Sequence, residues 1–185
     1  MTFSPPRKLL SEDELYQYAL GALGRRMRSV AELKRLLRRR VEVDSERGQL
    51  LIEIVVRRLK DQRYLDDAQY AAAYSSFRRD NEKYGRRRVI TELKLRGVHE
   101  DVIHRTVEGV YQAVSDERQA RDYLRRKRVT KPEDQKSIAR VFRKLVRAGF
   151  TAKTIFAVLK NWHVDEETLA VLESELLLNE GGGLG

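Results

Sequence analysis

Arginine and lysine side chains are concentrated in three stretches of the chain, and these residues are the best suited to binding chemistry. Arg25–Arg40 holds eight basic residues and one acidic residue, and Arg78–Arg96 holds eight and three. Arg118–Arg147 holds twelve basic residues and three acidic ones. Most are arginines, whose guanidinium groups bind carboxylates or phosphates through two parallel hydrogen bonds. This pattern predicts a polyanionic partner, either a nucleic acid or an acidic protein surface.

Residue types that catalysis or metal binding would need do not come together in the sequence. The three histidines, His99, His104 and His163, are scattered, and His104 with Glu100 alone would make a poor zinc site. The sequence contains neither a phosphate-binding GxxxxGK[ST] loop nor a GxSxG nucleophile motif. We therefore expect a protein that is not an enzyme and that uses neither a metal nor a cofactor.

Composition narrows the class of protein further. The 185 residues include 38 basic and 28 acidic ones and no cysteine, which excludes disulfides and thiolate zinc sites and fits a reducing compartment. No apolar run approaches the ~20 residues that a membrane span needs. The first residues, "MTFSPPRKLLSEDEL", lack the apolar segment of a signal peptide. We expect a cytoplasmic protein.

Apolar residues recur at helical spacing along the chain and predict nine helices. Ser29, followed three residues later by Glu32, predicts a capping box at the start of the second helix. Asp66 or Asp67 can cap the fourth helix and suits its positive N-terminal end. The apolar stripe expected on that fourth helix consists of Tyr70, Ala73, Tyr74 and Phe77.

The nine predicted helices form three similar sets of three that recur about every 50 residues. Gly97 and Gly149 correspond in the alignment of the second helices, and both are expected to end their helices in a left-handed conformation. Arg40 stands at the same position of the first set. This self-similarity predicts an all-α fold, an elongated, curved array of three tandem three-helix repeats of the helix-turn-helix kind. The predicted boundaries are a flexible N-terminus at 1–11, repeats at 12–62, 63–113 and 114–162, and an acidic tail at 163–185 that is partly helical and then disordered.

Three segments carry a resemblance to a known family. "RRMRSVAELKRLL", "RYLDDAQYAAAYSSFRR" and "YGRRRVITELKLRGV" together resemble the RecX family of bacterial RecA regulators. The resemblance extends from about Leu15 to Trp162 and is best between Ser29 and Val98. It departs at Arg40, where relatives usually have glycine.

The resemblance implies both a fold and a function. Members of the family consist of tandem three-helix repeats and bind the RecA–single-stranded DNA filament along its helical groove. They restrain its ATP hydrolysis, its strand exchange and the co-protease activity that switches on the SOS response. On this basis we expect a non-catalytic inhibitor of RecA. Because no clear apolar stripe is left over for a partner, we also expect a monomer, with weak direct binding to DNA.

The basic residues recur at matching places, the end of each first helix and the body of each second helix. If the repeats stack in register, these residues form a stripe that contacts the RecA filament or its DNA. The predicted partner-binding residues are Arg25, Arg26, Arg38, Arg39, Arg78, Arg79, Arg86, Arg87, Arg88, Lys94, Arg125, Arg126, Arg140, Arg143 and Lys144.

A different hypothesis is a nucleic-acid-binding protein that acts directly on DNA, with the eighth and ninth helices as a helix-turn-helix. Base contacts would then come from Thr151, Lys153 and Thr154, a small set for a major-groove reader. The earlier copy of this unit has Glu100 and Asp101 at those positions, which would repel phosphates. Base stacking is a related hypothesis for four tyrosines that flank basic residues, namely Tyr64, Tyr84, Tyr111 and Tyr123.

Overall fold

The computed structural model describes residues 11–41, 46–165, 167–172 and 174, and the expectations for 1–10 and 175–185 lie outside this part of the chain. All regular structure within these residues is helical, which confirms the all-α prediction. Residues 167–172 are helical as well. The helices that precede them are α1 (Glu12–Arg25), α2 (Val30–Arg38), α3 (Glu46–Asp61), α4 (Asp67–Asp80), α5 (Arg86–Leu95), α6 (Glu100–Tyr111), α7 (Asp116–Arg126), α8 (Gln135–Arg147) and α9 (Ala152–Lys160).

Short polar side chains start these helices, as the sequence predicts. The Ser29 hydroxyl accepts a hydrogen bond from the N–H of Glu32, and the Glu32 carboxylate accepts one from the N–H of Ser29. Asp66 is the residue that caps α4, because its Oδ1 accepts from the N–H groups of Ala68 and Gln69. Each side chain satisfies donors that the first turn of a helix leaves without a partner.

The predicted buried stripe of α4 is wrong in phase. Tyr70 is buried, but Phe77 is 54% exposed and Ala73 is also exposed. The buried positions are instead Ala71 and Ser75, both completely inaccessible to solvent. Besides Tyr70, this buried face carries small side chains, so the spacing of large apolar residues alone does not locate it.

The chain divides into two compact units by its internal contacts. The first comprises Met1–Ala73 and Glu92–Thr106, and the second comprises Tyr74–Thr91 and Val107–Gly185. In the first unit α1, α2 and α3 pack together around a core that includes Leu15, Leu33, Leu37, Val55 and Leu59. In the second unit α9 packs against α7 and α8 around Tyr111, Leu124, Leu145, Ile155 and Leu159.

In the first unit the N-terminal end of α2 docks on the C-terminal end of α5. The Ser29 hydroxyl donates to the carbonyl of Arg96 at 2.7 Å, and the Arg96 guanidinium pairs with Glu32 at 3.1 Å. Gly97 has a φ of +76°, and a Cβ added there would lie 2.5 Å from the Cβ of Ala31. We call this contact the α2–α5 joint, and it requires glycine both for its backbone conformation and for space.

Asp67 completes the α2–α5 joint. Its Oδ1 accepts a hydrogen bond from the N–H of Val30 at 2.8 Å, so it satisfies a free donor in the first turn of α2. Burial raises the pKa of the Asp67 carboxyl above its ordinary value of 3.8, although the Val30 hydrogen bond opposes the shift. The two adjacent aspartates therefore cap two different helices.

In the second unit the N-terminal end of α5 docks on the C-terminal end of α8, here through backbone donors. The N–H of Gly85 donates to the carbonyl of Ala148 at 2.8 Å, and the N–H of Arg87 donates to that of Gly149 at 3.3 Å. Gly149 has a φ of +91°, and a Cβ there would lie 2.3 Å from the backbone nitrogen of Arg88. This contact is the α5–α8 joint. Both glycines therefore adopt the left-handed conformation that the sequence predicts.

Helix α2 ends differently at the position of Arg40. Arg40 is not among the residues with a positive φ in the described part of the chain, whereas Gly97 and Gly149 both are. The guanidinium of Arg40 lies over the ring of Tyr18, 4.4 Å from its centroid. The departure from the family pattern is thus a change in how this helix ends.

The chain beyond α9 repeats the junction that joins α3 to α4. Arg63 and His163, each four residues past a buried leucine, both have a φ of +61°. Asp165 then accepts from the N–H of Thr168 at 2.7 Å, as Asp66 does at the start of α4. Leu169, four residues after this cap, is buried. Part of the predicted acidic tail therefore begins in the same way as the first helix of a repeat.

Replacing Gly149 with Ala tests the α5–α8 joint. The variant loses roughly 1–3 kcal/mol of unfolding free energy, because a Cβ meets the Arg88 backbone and the residue keeps a positive φ. Gly109→Ala is the control, since it lies in α6 with open space at its Cβ, and it gains about 0.5–1 kcal/mol. Urea denaturation measures both, and equal stabilities would contradict the joint.

Replacing Asp67 with Asn tests the shifted carboxyl. Because the folded-state pKa of Asp67 is raised, its contribution is fully present below about pH 3.8 and is lost as the pH rises through the raised pKa. The introduced amide keeps an acceptor for the N–H of Val30 and does not ionise. The unfolding free energy of the variant relative to that of the natural chain should therefore increase between about pH 3.5 and about pH 7, because the natural Asp67 carboxyl loses its stabilising contribution as it ionises. Asp67→Ala, which lacks the acceptor, should be less stable at every pH, and parallel pH profiles for the Asn variant would refute the assignment.

Candidate partner-binding surface

Four of the predicted partner-binding arginines hold the second unit together. Arg79 donates to the carbonyl of Val110 and pairs with Asp80 at 2.7 Å. The hydrogen bond between Arg79 and Asp80 raises the pKa of the arginine and lowers that of the aspartate. Arg86 pairs with Asp116 at 3.2 Å. These side chains, like Arg78 and Arg88, are half-buried, and their contacts within the chain compete with any contact to a partner.

Arg78 and Arg88 lie over the ring of Tyr84. Their guanidinium carbons are 5.6 Å and 3.9 Å from the ring centroid, within the range of cation–π attraction. Arg88 also donates to the carbonyl of Arg147 at 3.1 Å, at the C-terminal end of α8. Arg88 therefore belongs to the α5–α8 joint, and Arg87 is the member of the "RRR" run whose side chain is exposed.

The base-stacking hypothesis is wrong for three of the four tyrosines. Tyr84, Tyr111 and Tyr123 are 9%, 1% and 5% exposed, so a base could not stack on them. The Tyr111 hydroxyl donates to the carbonyl of Tyr84 at 2.8 Å, and burial raises the pKa of this hydroxyl. Tyr64 is 60% exposed and is the one that remains available.

Helix α8 carries the most uniformly basic surface of the second unit. Its basic side chains follow one another at spacings of four, three, one and three residues, which places them on one face. The opposite face is buried through Val141, Phe142 and Leu145. Residues 135–147 contain no acidic residue, and in the described part of the chain none of these cations forms a salt bridge. We call this set the α8 basic face, which consists of Lys136, Arg140, Arg143, Lys144 and Arg147.

The remaining predicted residues fall into two groups. Some pair with acids, since Lys94 contacts Glu100, which lowers the pKa of that carboxyl. Arg26 approaches Glu32 at 3.7 Å, Arg126 approaches Glu82 at 3.3 Å, and Arg125 pairs with Asp122. The other group is exposed on the surface of its helix or cap and consists of Arg25, Arg38 and Arg39.

A groove of about 450 Å³ adjoins the α8 basic face at its N-terminal end. It is lined by residues 128–134 between α7 and α8, together with Ser137, Arg140 and Val141. Arg128 has a φ of +50°, which is uncommon for a residue with a side chain. Sequence reasoning missed this groove, because it depends on how a connecting segment folds. Lys136 and Arg147 were missed as well, although their helical spacing from Arg140 could have revealed them.

The direct DNA-reading hypothesis has few side chains available at α8–α9. Thr151 caps α9 by accepting from the N–H of Thr154, and the two hydroxyls are 2.9 Å apart. Thr154 is also buried, which leaves Lys153 as the exposed member of the three candidates. A single lysine cannot distinguish one base sequence from another.

The described residues contain neither a metal-binding cluster nor a membrane-spanning helix. No three histidine or acidic side chains come together there in a way that could hold a metal ion. No helix in that part of the chain is long and apolar enough to span a bilayer.

The fold and the site define a class, that of proteins made of tandem three-helix repeats with arginine-rich surfaces. A family model described as the second three-helix domain of RecX matches residues 66–106, which contain α4, α5 and much of α6. The regulatory protein RecX of Thermobifida fusca is 31% identical over 84% of this chain and 84% of its own length. The chain therefore belongs to the RecX family.

Other relatives and solved structures agree with this assignment. The regulatory proteins RecX of Geobacillus thermodenitrificans and Bacillus licheniformis are 33% and 30% identical over 82% and 90% of this chain. The chain spans only 56% and 61% of their lengths. The crystal structure of RecX from Lactobacillus salivarius has a TM-score of 0.65 over 82% of this chain and 96% of that one, at 17% identity. This last similarity supports the fold.

Removing the Arg88 side chain should separate structural arginines from surface ones. Arg88→Ala loses a charged hydrogen bond to a helix end and a cation–π contact, which together cost about 1–3 kcal/mol of unfolding free energy. Arg87→Ala, one residue away and exposed, changes it by less than about 0.5 kcal/mol. Thermal and urea denaturation give both values. A smaller loss for Arg88→Ala than for Arg87→Ala would overturn the distinction.

Proposed function

We propose that this protein is a non-catalytic regulator of RecA that binds the RecA–single-stranded DNA filament. Binding restrains the filament's ATP hydrolysis, strand exchange and SOS co-protease activity. The protein acts in the cytoplasm as a monomer, and its direct binding to bare DNA is weak. Membership of the RecX family supports this proposal, and the α8 basic face is the structural observation that carries it.

The charges suit a partner that presents many negative groups in a regular array. The α8 basic face offers five cations without internal salt bridges among the described residues. The proposed repeats at 12–62 and 63–113 add exposed arginines of their own, Arg38 and Arg39 in the first and Arg87 in the second. Several weak contacts on one molecule raise its overall affinity by ~10²–10⁴ over a single contact when the partner repeats in register.

The shifted pKa values have structural explanations, which favours binding over catalysis. Asp67 is buried at the α2–α5 joint, and Tyr111 is buried where it donates to the carbonyl of Tyr84. Neither group lies in the 450 Å³ groove, and Asp134, which does line it, has its pKa lowered by the hydrogen bonds with Ser137 that cap α8. Catalytic sites gather such groups in a cleft, so their positions here support a protein that acts by contact.

ATP hydrolysis by RecA on single-stranded DNA, titrated with the full chain far below DNA saturation, tests the proposal. Suppression at a small ratio of this protein to RecA is expected, because one molecule bound to the filament restrains several protomers. Suppression only when the protein coats the DNA would instead indicate competition for phosphates. A sequence-independent DNA-binding protein, to which the α8 basic face is also suited, would then be the better description.

Reversing two exposed arginines should weaken the inhibition without unfolding the protein. Arg87→Glu combined with Arg143→Glu should raise the concentration for half-maximal inhibition of the RecA ATPase by ~10-fold or more, because contacts in two repeats are lost together. The matched control is Arg47→Glu with Arg57→Glu, two exposed arginines of α3 outside the proposed surface. Equal inhibition by both double variants would show that net charge, and not this surface, governs binding.

A further inference from the structure

The two helix-end joints follow one rule, and among the described residues the N-terminal end of α8 lacks the contact that this rule predicts. The N-terminal end of α2 receives the C-terminal end of α5, and the N-terminal end of α5 receives that of α8. In the described part of the chain, no helix C-terminus hydrogen-bonds to the N-terminal end of α8. The 450 Å³ groove lies at that end.

Positions counted back from the helix-ending residue identify the equivalent side chains. Ala31, Arg88 and Arg140 each lie nine residues before Arg40, Gly97 and Gly149 respectively. At the joints, Ala31 packs against Gly97, and Arg88 packs against Gly149 and donates to a carbonyl in the last turn of α8. Arg140 lines the groove. It therefore stands where its two counterparts meet the C-terminal end of another helix.

Helix α8 differs from α5 in one respect that shapes the groove. It begins 14 residues before its helix-ending glycine, whereas α5 begins 11 residues before its own. The additional turn is capped by Asp134, whose Oδ1 accepts from the N–H of Ser137 at 2.7 Å. This turn and residues 128–134 form walls beside Arg140. The position that corresponds to a joint therefore lies inside the groove.

The lining of the groove fits the end of a protein helix better than a nucleic acid. Arg128, Lys131 and Arg140 supply positive charge for the negative C-terminal end of a helix. The lining also contains Glu133 and Asp134, which repel the full negative charges of a phosphodiester backbone more strongly than the partial negative charge of a helix end. Apolar side chains complete it and can pack against the last turn of an incoming helix, namely Val129, Pro132 and Val141.

We infer that this groove is a docking site for the C-terminal end of an α-helix of a partner protein, and that Arg140 donates to the last carbonyls of that helix. The inference rests on the proposed function, in which the protein of the filament, and not its DNA, supplies the helix end. It deepens that function by assigning one contact to protein. The α8 basic face beyond the groove remains free to meet other negative groups.

Site-specific photo-crosslinking in the full chain tests this assignment. A benzophenone amino acid replaces Thr130, which is exposed and lines the groove, and in a control chain it replaces Gln112, which is exposed and outside it. Each chain is mixed with RecA filaments on single-stranded DNA, sedimented and irradiated, and the adducts are mapped by mass spectrometry. Adducts from position 130 should fall on RecA, in or just after the last turn of one helix.

A second variant tests the role of Arg140 in the same assay. Arg140→Ala should lower the crosslink yield from position 130 by roughly tenfold per chain that sediments, the value of one charge-assisted hydrogen bond. Adducts from position 130 on DNA, or an undiminished yield in the Arg140 variant, would overturn the inference while the proposed function stands. No crosslink at position 130 in chains that do sediment would overturn it equally. A chain that fails to sediment with filaments would refute the proposed function itself.

Discussion

The close approach of two backbones at the helix-end joints is the constraint on which the rest of this structure depends. At the α5–α8 joint, backbone donors of Gly85 and Arg87 reach carbonyls at the end of α8. These hydrogen bonds form only if the two backbone segments are in direct contact. A Cβ at Gly149 would push them apart. Free donors at one helix end thus satisfy free acceptors at another. Each joint thereby aligns the positive end of one helix dipole with the negative end of the next.

The arginines divide according to their distance from these joints. Arg88 and Arg96 lie at a joint and make their hydrogen bonds to the chain itself. Arg87 and Arg143 point away from the packed faces and are exposed. The same residue type therefore serves two purposes in adjacent positions, because successive side chains of a helix point in directions about 100° apart. A run of basic residues in the sequence therefore does not show which side chains can bind a partner, whereas the helix face on which each residue lies does.

Local features of this fold could be predicted from sequence, while contacts between distant segments could not. The capping box of Ser29 and the left-handed glycines depend on residues a few positions apart, so the sequence displays them directly. The contact of Asp67 with Val30 joins positions 37 residues apart, and nothing in "YLDD" indicates it. Tyr84 illustrates the same limit, since its flanking arginines suggested exposure but instead lie over its ring in a buried site. The outward-facing Phe77 shows that an apolar residue at helical spacing need not be in the core.

Helix α2 ends at its C-cap residue, Arg39, with Arg40 in place of glycine, and this ending determines at which end of the array an additional repeat could dock. A joint needs a residue without a Cβ at the receiving helix end, as Gly97 and Gly149 show. An additional repeat placed before the first one would have to dock on α2, where a large side chain already covers Tyr18. Gene duplication could therefore lengthen such a protein after α9, where Asp165 already starts another helix, far more readily than before α1. Evolutionary variation in repeat number is accordingly expected after α9 rather than before α1.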